Sequence, residues 1–145
     1  MLQDSLVLLP VYVANRQHWI LIVADIPRRH ITVLDSMPCE SHSRVCPQGK
    51  HVQRYLAYVF DNTSFVISSG RCRKQGDNVD CGIHVVLNAL HVVNGEYSIE
   101  ENNNTLHLNY VNNLNSDSIR QNICLSVDTA LFKNSDWNFV SSLTQ

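Results

Sequence analysis

Apolar runs in the first third of the chain are separated by short polar turns, a pattern typical of β-strands. We predict a strand over residues 6–13, in which Pro10 indicates an edge or bulge position because proline cannot donate to a ladder. A buried strand is predicted over residues 18–24 and a further strand over residues 31–35, with a turn at 27–30 between them. These last two strands should form a hairpin.

Helical spacing of apolar residues begins in the middle of the chain. We predict helices over residues 51–60 and 81–93, the second of them ended by Asn94-Gly95, and a strand over residues 64–68. A less regular helix is predicted from the N-cap cluster at 116–118 as far as Phe132. Polar segments are predicted as loops at 36–49, 70–79 and 100–104, and an Asn-rich tract over 102–122 as partly mobile.

The composition is that of one ordinary globular domain covering residues 1–145. Apolar residues make up 44% of the chain and charged residues 17%. The net charge of -2 and the lack of a basic run argue against nucleic acid or a membrane surface as a partner. The longest apolar stretch, residues 19–24, is too short to cross a bilayer. The oligomeric state is left open.

The chain contains five cysteines, an odd number that cannot all pair with one another. With no signal peptide in the sequence, we expect reduced thiols and an intracellular location, in the nucleus or the cytoplasm. The intervals between Cys39, His42 and Cys46 do not form a paired zinc-binding signature, so we expect no metal and no other cofactor.

Residues 75–82 place Cys81 at the start of the apolar helix predicted over 81–93. A helix N-terminus carries a partial positive charge and unpaired N–H groups, so it favours a thiolate and can hold an oxyanion. Cys81 is therefore a candidate nucleophile. The His84 side chain should project from a different part of the helix surface than Cys81, and the sequence shows no acid partner for it, so we interpret His84 as structural.

A base and its orienting acid are predicted on the hairpin. His18 opens one strand and Asp35 ends the next, and the start of one hairpin strand faces the end of the other. The two side chains should therefore be neighbours, which is the arrangement that orients an imidazole for proton transfer. Gln75, six residues before Cys81, could donate its side-chain N–H₂ to an oxyanion.

These residues resemble a known family of enzymes. His18-Trp19, Asp35-Ser36 and Gln75 before Asp80-Cys81-Gly82 look like the motifs of the ubiquitin-like-protein-specific (SUMO- or sentrin-specific) cysteine proteases, distantly similar to the adenovirus protease. The resemblance implies an α+β, papain-like fold with the nucleophile at the start of a buried helix. It implies cleavage after the C-terminal Gly-Gly of SUMO or a related modifier, with Trp19 covering a narrow glycine tunnel.

The resemblance also leaves alternatives open. Domains of this family usually carry a further segment before the first strand, whereas this chain begins close to that strand. We therefore expect a fragment, a shortened relative or a protein with another substrate. Two other functions remain: an inactive module that binds a ubiquitin-like modifier, and an acyltransferase that uses the same triad.

Overall fold

The computed structural model describes residues 5–37, 47–76, 80–109 and 120–121. The chain divides into two compact units, Met1–Val111 and Asn112–Gln145. The first unit contains, in chain order, β1 (Leu6–Val13), a 3₁₀ turn (Ala14–Arg16), β2 (His18–Asp25), β3 (His30–Leu34), α1 (Pro47–Val59), β4 (Val66–Ser69), α2 (Cys81–Val93), β5 (Tyr97–Ile99) and β6 (Leu106–Leu108). In the second unit, residues 120–121 are helical, and the rest of the helix predicted over 116–132 lies outside the described residues.

The main sheet has the strand order β1-β2-β3-β4. The pairs β1/β2 and β2/β3 are antiparallel, and β3/β4 is parallel, so the sheet is mixed. Pro10 lies in β1, an edge strand of this sheet, as its missing N–H predicts. The predicted hairpin of β2 and β3 is confirmed, and so is the α+β class.

From Ile20 to Asp25, strand β2 is buried on both faces of the sheet. Ile20 and Ile22 pack in one core with Leu56 of α1, whereas Leu21 packs in a second core with Val85 of α2. Alternate residues of a strand point to opposite faces, so two cores require an uninterrupted apolar strand. This arrangement explains the apolar sequence of β2. Helix α2 packs directly against this strand, which begins with His18.

Helix α1 begins earlier than its apolar spacing predicts. The predicted loop over residues 36–49 is wrong for its last three residues, because the helix starts at Pro47. Proline is well suited to the first helical position, where its missing N–H has no partner to lose. Gly49 is buried, and a Cβ atom on it would lie 3.3 Å from Val33 and 3.4 Å from Ile67. The glycine allows the helix to approach the sheet closely.

The hairpin of β5 and β6 was not predicted from the sequence, although the polar turn at 100–104 between its strands was. It docks on the main sheet through the N–H of Leu106, which donates to the Thr32 hydroxyl at 3.1 Å. A Cβ atom on Gly70 would lie 2.4 Å from the Leu106 carbonyl oxygen, so the hairpin backbone occupies the space that a side chain would need.

Candidate active site

His18, the first residue of β2, is completely buried and faces Asp35. Its Nε2 lies 2.7 Å from Oδ1 of Asp35, which directly follows the last residue of β3. The hairpin holds the two residues at the same end of adjacent strands. The expectation that they are neighbours is confirmed, and their catalytic roles stay a prediction.

The Asp35 carboxylate has two further hydrogen-bond donors. Nη1 of Arg16 lies 2.7 Å from Oδ2, and the backbone N–H of Met37 donates to Oδ1 at 2.9 Å. Burial alone would raise the pKa of Asp35, but the hydrogen bonds from Arg16, Met37 and His18, with the Arg16 charge, hold the pKa below its usual value. Asp35 is therefore ionised at neutral pH. Arg16 was missed in the sequence, where a cation two residues before His18 was the available signal.

The pairing with Asp35 assigns the proton on the neutral His18 ring. An ionised carboxylate only accepts hydrogen bonds, so Nε2 carries the N–H and Nδ1 carries the lone pair. The Nδ1 atom is buried and has no hydrogen-bond partner within residues 5–37, 47–76 and 80–109. The ring is consequently prepared to accept a proton at Nδ1.

Cys81 is the first residue of α2, as predicted, and is buried. The N–H of His84 donates to the Asp80 carbonyl at 3.0 Å, which sets the start of the helix, and the Asp80 side chain does not cap it. Among the described residues, a Cβ atom on Gly82 would meet nothing within 4 Å, so this position next to the nucleophile candidate has room for a side chain. Among the described residues His18 is hydrogen-bonded to Asp35 and not to Cys81.

A second thiol, Cys72, can be compared with Cys81. Burial raises the pKa of Cys72 to about 11, although the nearby Lys74 charge opposes this. A thiol with that pKa is almost entirely protonated at neutral pH and is a poor nucleophile.

The remaining cysteines lie outside the described residues: Cys39, Cys46 and Cys124. The cysteine–histidine intervals considered for zinc lie there as well. In the described ranges no group of three or more His, Cys, Asp or Glu side chains could hold a metal.

Gln75 is fixed by the segment that follows β3. Its backbone N–H donates to the Ser36 carbonyl at 2.8 Å, and the Ser36 hydroxyl donates to the Gln75 side-chain oxygen at 2.7 Å. Nζ of Lys74 donates to the Asp35 carbonyl at 2.6 Å. Both Ser36 and Gln75 are buried. The loop that leads to α2 is therefore bound to the Asp35-Ser36 dipeptide, an interaction that local sequence patterns do not reveal.

Trp19, next to His18, is 41% exposed and is thus not a core residue. It stands opposite Tyr12 in the β1/β2 register, and the two rings contact each other with centroids 5.2 Å apart and planes tilted by 50°. Tyr12 is 48% exposed. This exposed aromatic pair lies at the end of β2 that begins with His18. Tyr12 was missed because its proximity to Trp19 depends on the strand register.

One cavity of the described chain is separate from the candidate site residues. A shallow cavity of about 340 Å³ is lined by Arg71, Ser98, Glu100 and His107, none of which is a candidate site residue. The N–H of Arg71 donates to His107, whose other ring nitrogen pairs with Glu100, so these polar groups bind one another.

No helix in the described part of the chain is long and apolar enough to span a membrane.

Comparison with protein-family models matches residues 3–134 to the Ulp1 protease family, C-terminal catalytic domain. The match includes His18, Asp35, Gln75 and Cys81. Comparison with curated proteins gives no match.

Solved structures give the same fold. One is the SUMO protease Ulp1 with its catalytic cysteine oxidised to a sulfenic acid, at 21% identity and a TM-score of 0.59, covering 87% of this chain and 54% of that one. Another is the catalytic domain of the Ulp1-like SUMO protease of Chaetomium thermophilum, at 23% identity and a TM-score of 0.51, covering 62% of this chain and 36% of that one. The chain therefore spans about half the length of the Ulp1 chain it matches.

Proposed function

This chain belongs to the Ulp1 protease family, and from that premise we propose that it is a thiol peptidase or isopeptidase cleaving after the C-terminal Gly-Gly of SUMO or a related ubiquitin-like modifier. The observation that carries the proposal is the buried His18–Asp35 pair at the end of the strand against which α2, begun by Cys81, is packed. The similarity to two SUMO proteases supports the choice of modifier.

The proposed reaction begins with proton transfer from the Cys81 thiol to Nδ1 of His18. Asp35 accepts the Nε2–H bond and stabilises the resulting imidazolium. The Cys81 thiolate then attacks the carbonyl carbon of the modifier's last glycine. A C–S bond forms, and the carbonyl π electrons move to the oxygen. The partial positive charge at the α2 N-terminus favours both the thiolate and the oxyanion.

Collapse of the tetrahedral intermediate releases the amine. The Gln75 side-chain N–H₂ and the Cys81 backbone N–H donate to the oxyanion until the C–N bond breaks and His18 gives its proton to the leaving nitrogen. In the second half of the reaction His18 takes a proton from water, and the resulting hydroxide attacks the thioester. Breaking the C–S bond yields the free glycine carboxylic acid, which loses its proton to water, and the imidazolium proton returns to the Cys81 sulfur.

Selection of the Gly-Gly terminus is assigned to Trp19. Its exposed indole lies next to the base in sequence and is supported from the facing strand by Tyr12. A flat aromatic surface close to the reacting carbonyl leaves room for glycines and excludes side chains. The exposure of Trp19 supports a role in substrate contact rather than in the core.

Turnover tests the proposal. SUMO, ubiquitin and other ubiquitin-like modifiers, each with aminomethylcoumarin on the C-terminal glycine, are incubated separately with the wild type and with Cys81→Ala. We expect the wild type to release the fluorophore from at least one modifier and Cys81→Ala to release none above background. Tight binding of a modifier without turnover by the wild type would contradict the proposal and would favour an inactive binding module.

A further inference from the structure

Ser36 occupies a position from which it can control the orientation of the Gln75 side chain. The Ser36 hydroxyl donates to Oε1 of Gln75 at 2.7 Å, and both residues are buried, at 2% and 7% exposure. A carboxamide is planar, and its oxygen and nitrogen lie on opposite sides of the Cδ atom. A donor bound to Oε1 therefore directs the N–H₂ group away from Ser36.

The backbone holds the two residues next to each other. The Gln75 N–H donates to the Ser36 carbonyl at 2.8 Å, so the two residues are joined through both main chain and side chain. Rotating the amide by 180° would bring its N–H₂ group to the Ser36 hydroxyl and its oxygen to the side now taken by N–H₂. A carbonyl oxygen on that side would repel an oxyanion instead of binding it.

We infer that Ser36 is a positioning residue for the oxyanion hole: its hydroxyl holds the Gln75 amide with the N–H₂ group directed toward the developing negative charge. The inference rests on the proposed function, because it requires Gln75 to be the oxyanion donor. Ser36 does not touch the substrate in this account and acts only through Gln75. Asp35 and Ser36 then act from adjacent positions, with Asp35 orienting the base and Ser36 orienting the oxyanion donor.

A double-mutant cycle tests the inference by kinetics with the coumarin substrate. Loss of one orienting hydrogen bond should lower kcat of Ser36→Ala by about tenfold, with KM changed less than about twofold. Gln75→Ala should lower kcat by about 10²–10³-fold. Adding Ser36→Ala to Gln75→Ala should have no further effect, since no amide remains to be oriented. An equal loss of kcat from Ser36→Ala in both backgrounds would overturn the inference.

Two controls separate positioning from general damage. Alkylation of Cys81 by iodoacetamide forms no oxyanion, so its rate should be the same in Ser36→Ala and the wild type, followed by peptide mass spectrometry. A comparable slowing of alkylation would mean that Ser36 acts on the thiolate and would contradict the inference. Ser68→Ala, which removes another hydrogen-bonded hydroxyl from β4, should lower stability while leaving kcat unchanged.

A readout without turnover distinguishes failure of this inference from failure of the proposed function. The ¹⁵N relaxation of the Gln75 side-chain N–H₂ group, assigned by its disappearance in Gln75→Ala, should indicate a rigid amide in the wild type and a mobile one in Ser36→Ala. An equally rigid amide in both proteins would overturn the inference even if the wild type cleaves a modifier. If no modifier is cleaved, a rigid amide released by Ser36→Ala would still support the orienting contact.

Discussion

At the scale of single residues, Asp35 contacts both the proposed base and the segment that carries the proposed oxyanion donor. Its side chain pairs with His18 and Arg16, while its carbonyl accepts from Lys74 next to Gln75. Arg16 keeps the Asp35 carboxylate ionised, but it also competes with the His18 imidazole for that carboxylate. The pKa of Asp35 that results from both contacts should set the lower pH limit of activity.

Removing Arg16 tests this balance. The Arg16 hydrogen bond and charge both lower the pKa of Asp35, so in Arg16→Ala the carboxylate should become protonated at a higher pH as the solution is acidified. The acid limb of the pH profile of kcat/KM should therefore move to higher pH, and Arg16→Lys should move it less because the charge remains. An acid limb in Arg16→Ala that coincides with that of the wild type would contradict this role.

Trp19 determines selection in this account, so its removal should relax specificity. The wild type should cleave a modifier ending in Gly-Gly far better than the same modifier with alanine in place of the penultimate glycine. In Trp19→Ala we expect kcat/KM for Gly-Gly to fall and the ratio between the two substrates to shrink by about tenfold or more. Tyr12→Ala, which removes only the supporting ring, should give a smaller change in the same direction. A ratio unaffected by Trp19→Ala would exclude the tunnel assignment.

At the scale of elements, predictions from sequence succeeded where a pattern is long or sharply bounded. Strand β1 and helix α2 have the predicted limits, because the largely apolar segments 6–13 and 81–93 are flanked by polar residues within two positions. Strands β5 and β6 were missed because each has three residues, too few to show a period. The His18–Asp35 contact could be predicted from hairpin geometry, whereas the Ser36–Gln75 contact spans 39 positions and depends on tertiary packing.

The docking of the β5–β6 hairpin gives a stability prediction. Gly70→Ala should lower the free energy of unfolding by about 1–3 kcal/mol, since its Cβ would overlap the Leu106 carbonyl oxygen and force backbone movement. Gly82→Ala is the matched control, because its Cβ would meet no atom of the described residues within 4 Å and alanine is the better helix former. Urea unfolding measures both. Equal stability of Gly70→Ala and the wild type would show that the hairpin is not held against Gly70.

At the scale of the whole molecule, buried polar groups connect the hairpin to the main sheet and make stability depend on pH. His30 is buried, with Nε2 2.6 Å from the Ser68 hydroxyl, which in turn accepts from the Thr105 hydroxyl at 2.8 Å. Burial lowers the pKa of His30 from its ordinary value of 6.5, and the Asp25 charge opposes this in part. The folded protein therefore takes up this proton at lower pH than the unfolded chain does.

The stabilisation associated with neutral His30 is present above pH 6.5 and is lost as the pH falls from there through the folded-state pKa. The difference in free energy of unfolding between the wild type and His30→Gln should accordingly shrink between pH 7.5 and pH 5.5, measured by urea unfolding. His51→Gln, which changes an exposed histidine of α1, should show no such trend. A difference between wild type and His30→Gln that is constant with pH would contradict this assignment.

The domain limits and the cellular location stay predictions. The family match over residues 3–134 is consistent with a catalytic domain along most of the chain. This chain spans about half the length of the Ulp1 chain it matches, so experiment has to determine which modifiers it cleaves. The molecule as a whole is best tested through its one proposed nucleophile, on which every step of the reaction depends.

The most direct test is covalent capture by a modifier whose C-terminal glycine carries an electrophile, followed by intact mass measurement and peptide mapping. We expect a single adduct on Cys81, lost in Cys81→Ser and formed more slowly in His18→Ala. An adduct that persists in Cys81→Ser, or one that maps to Cys72 or another cysteine, would contradict the assignment of Cys81 as the nucleophile.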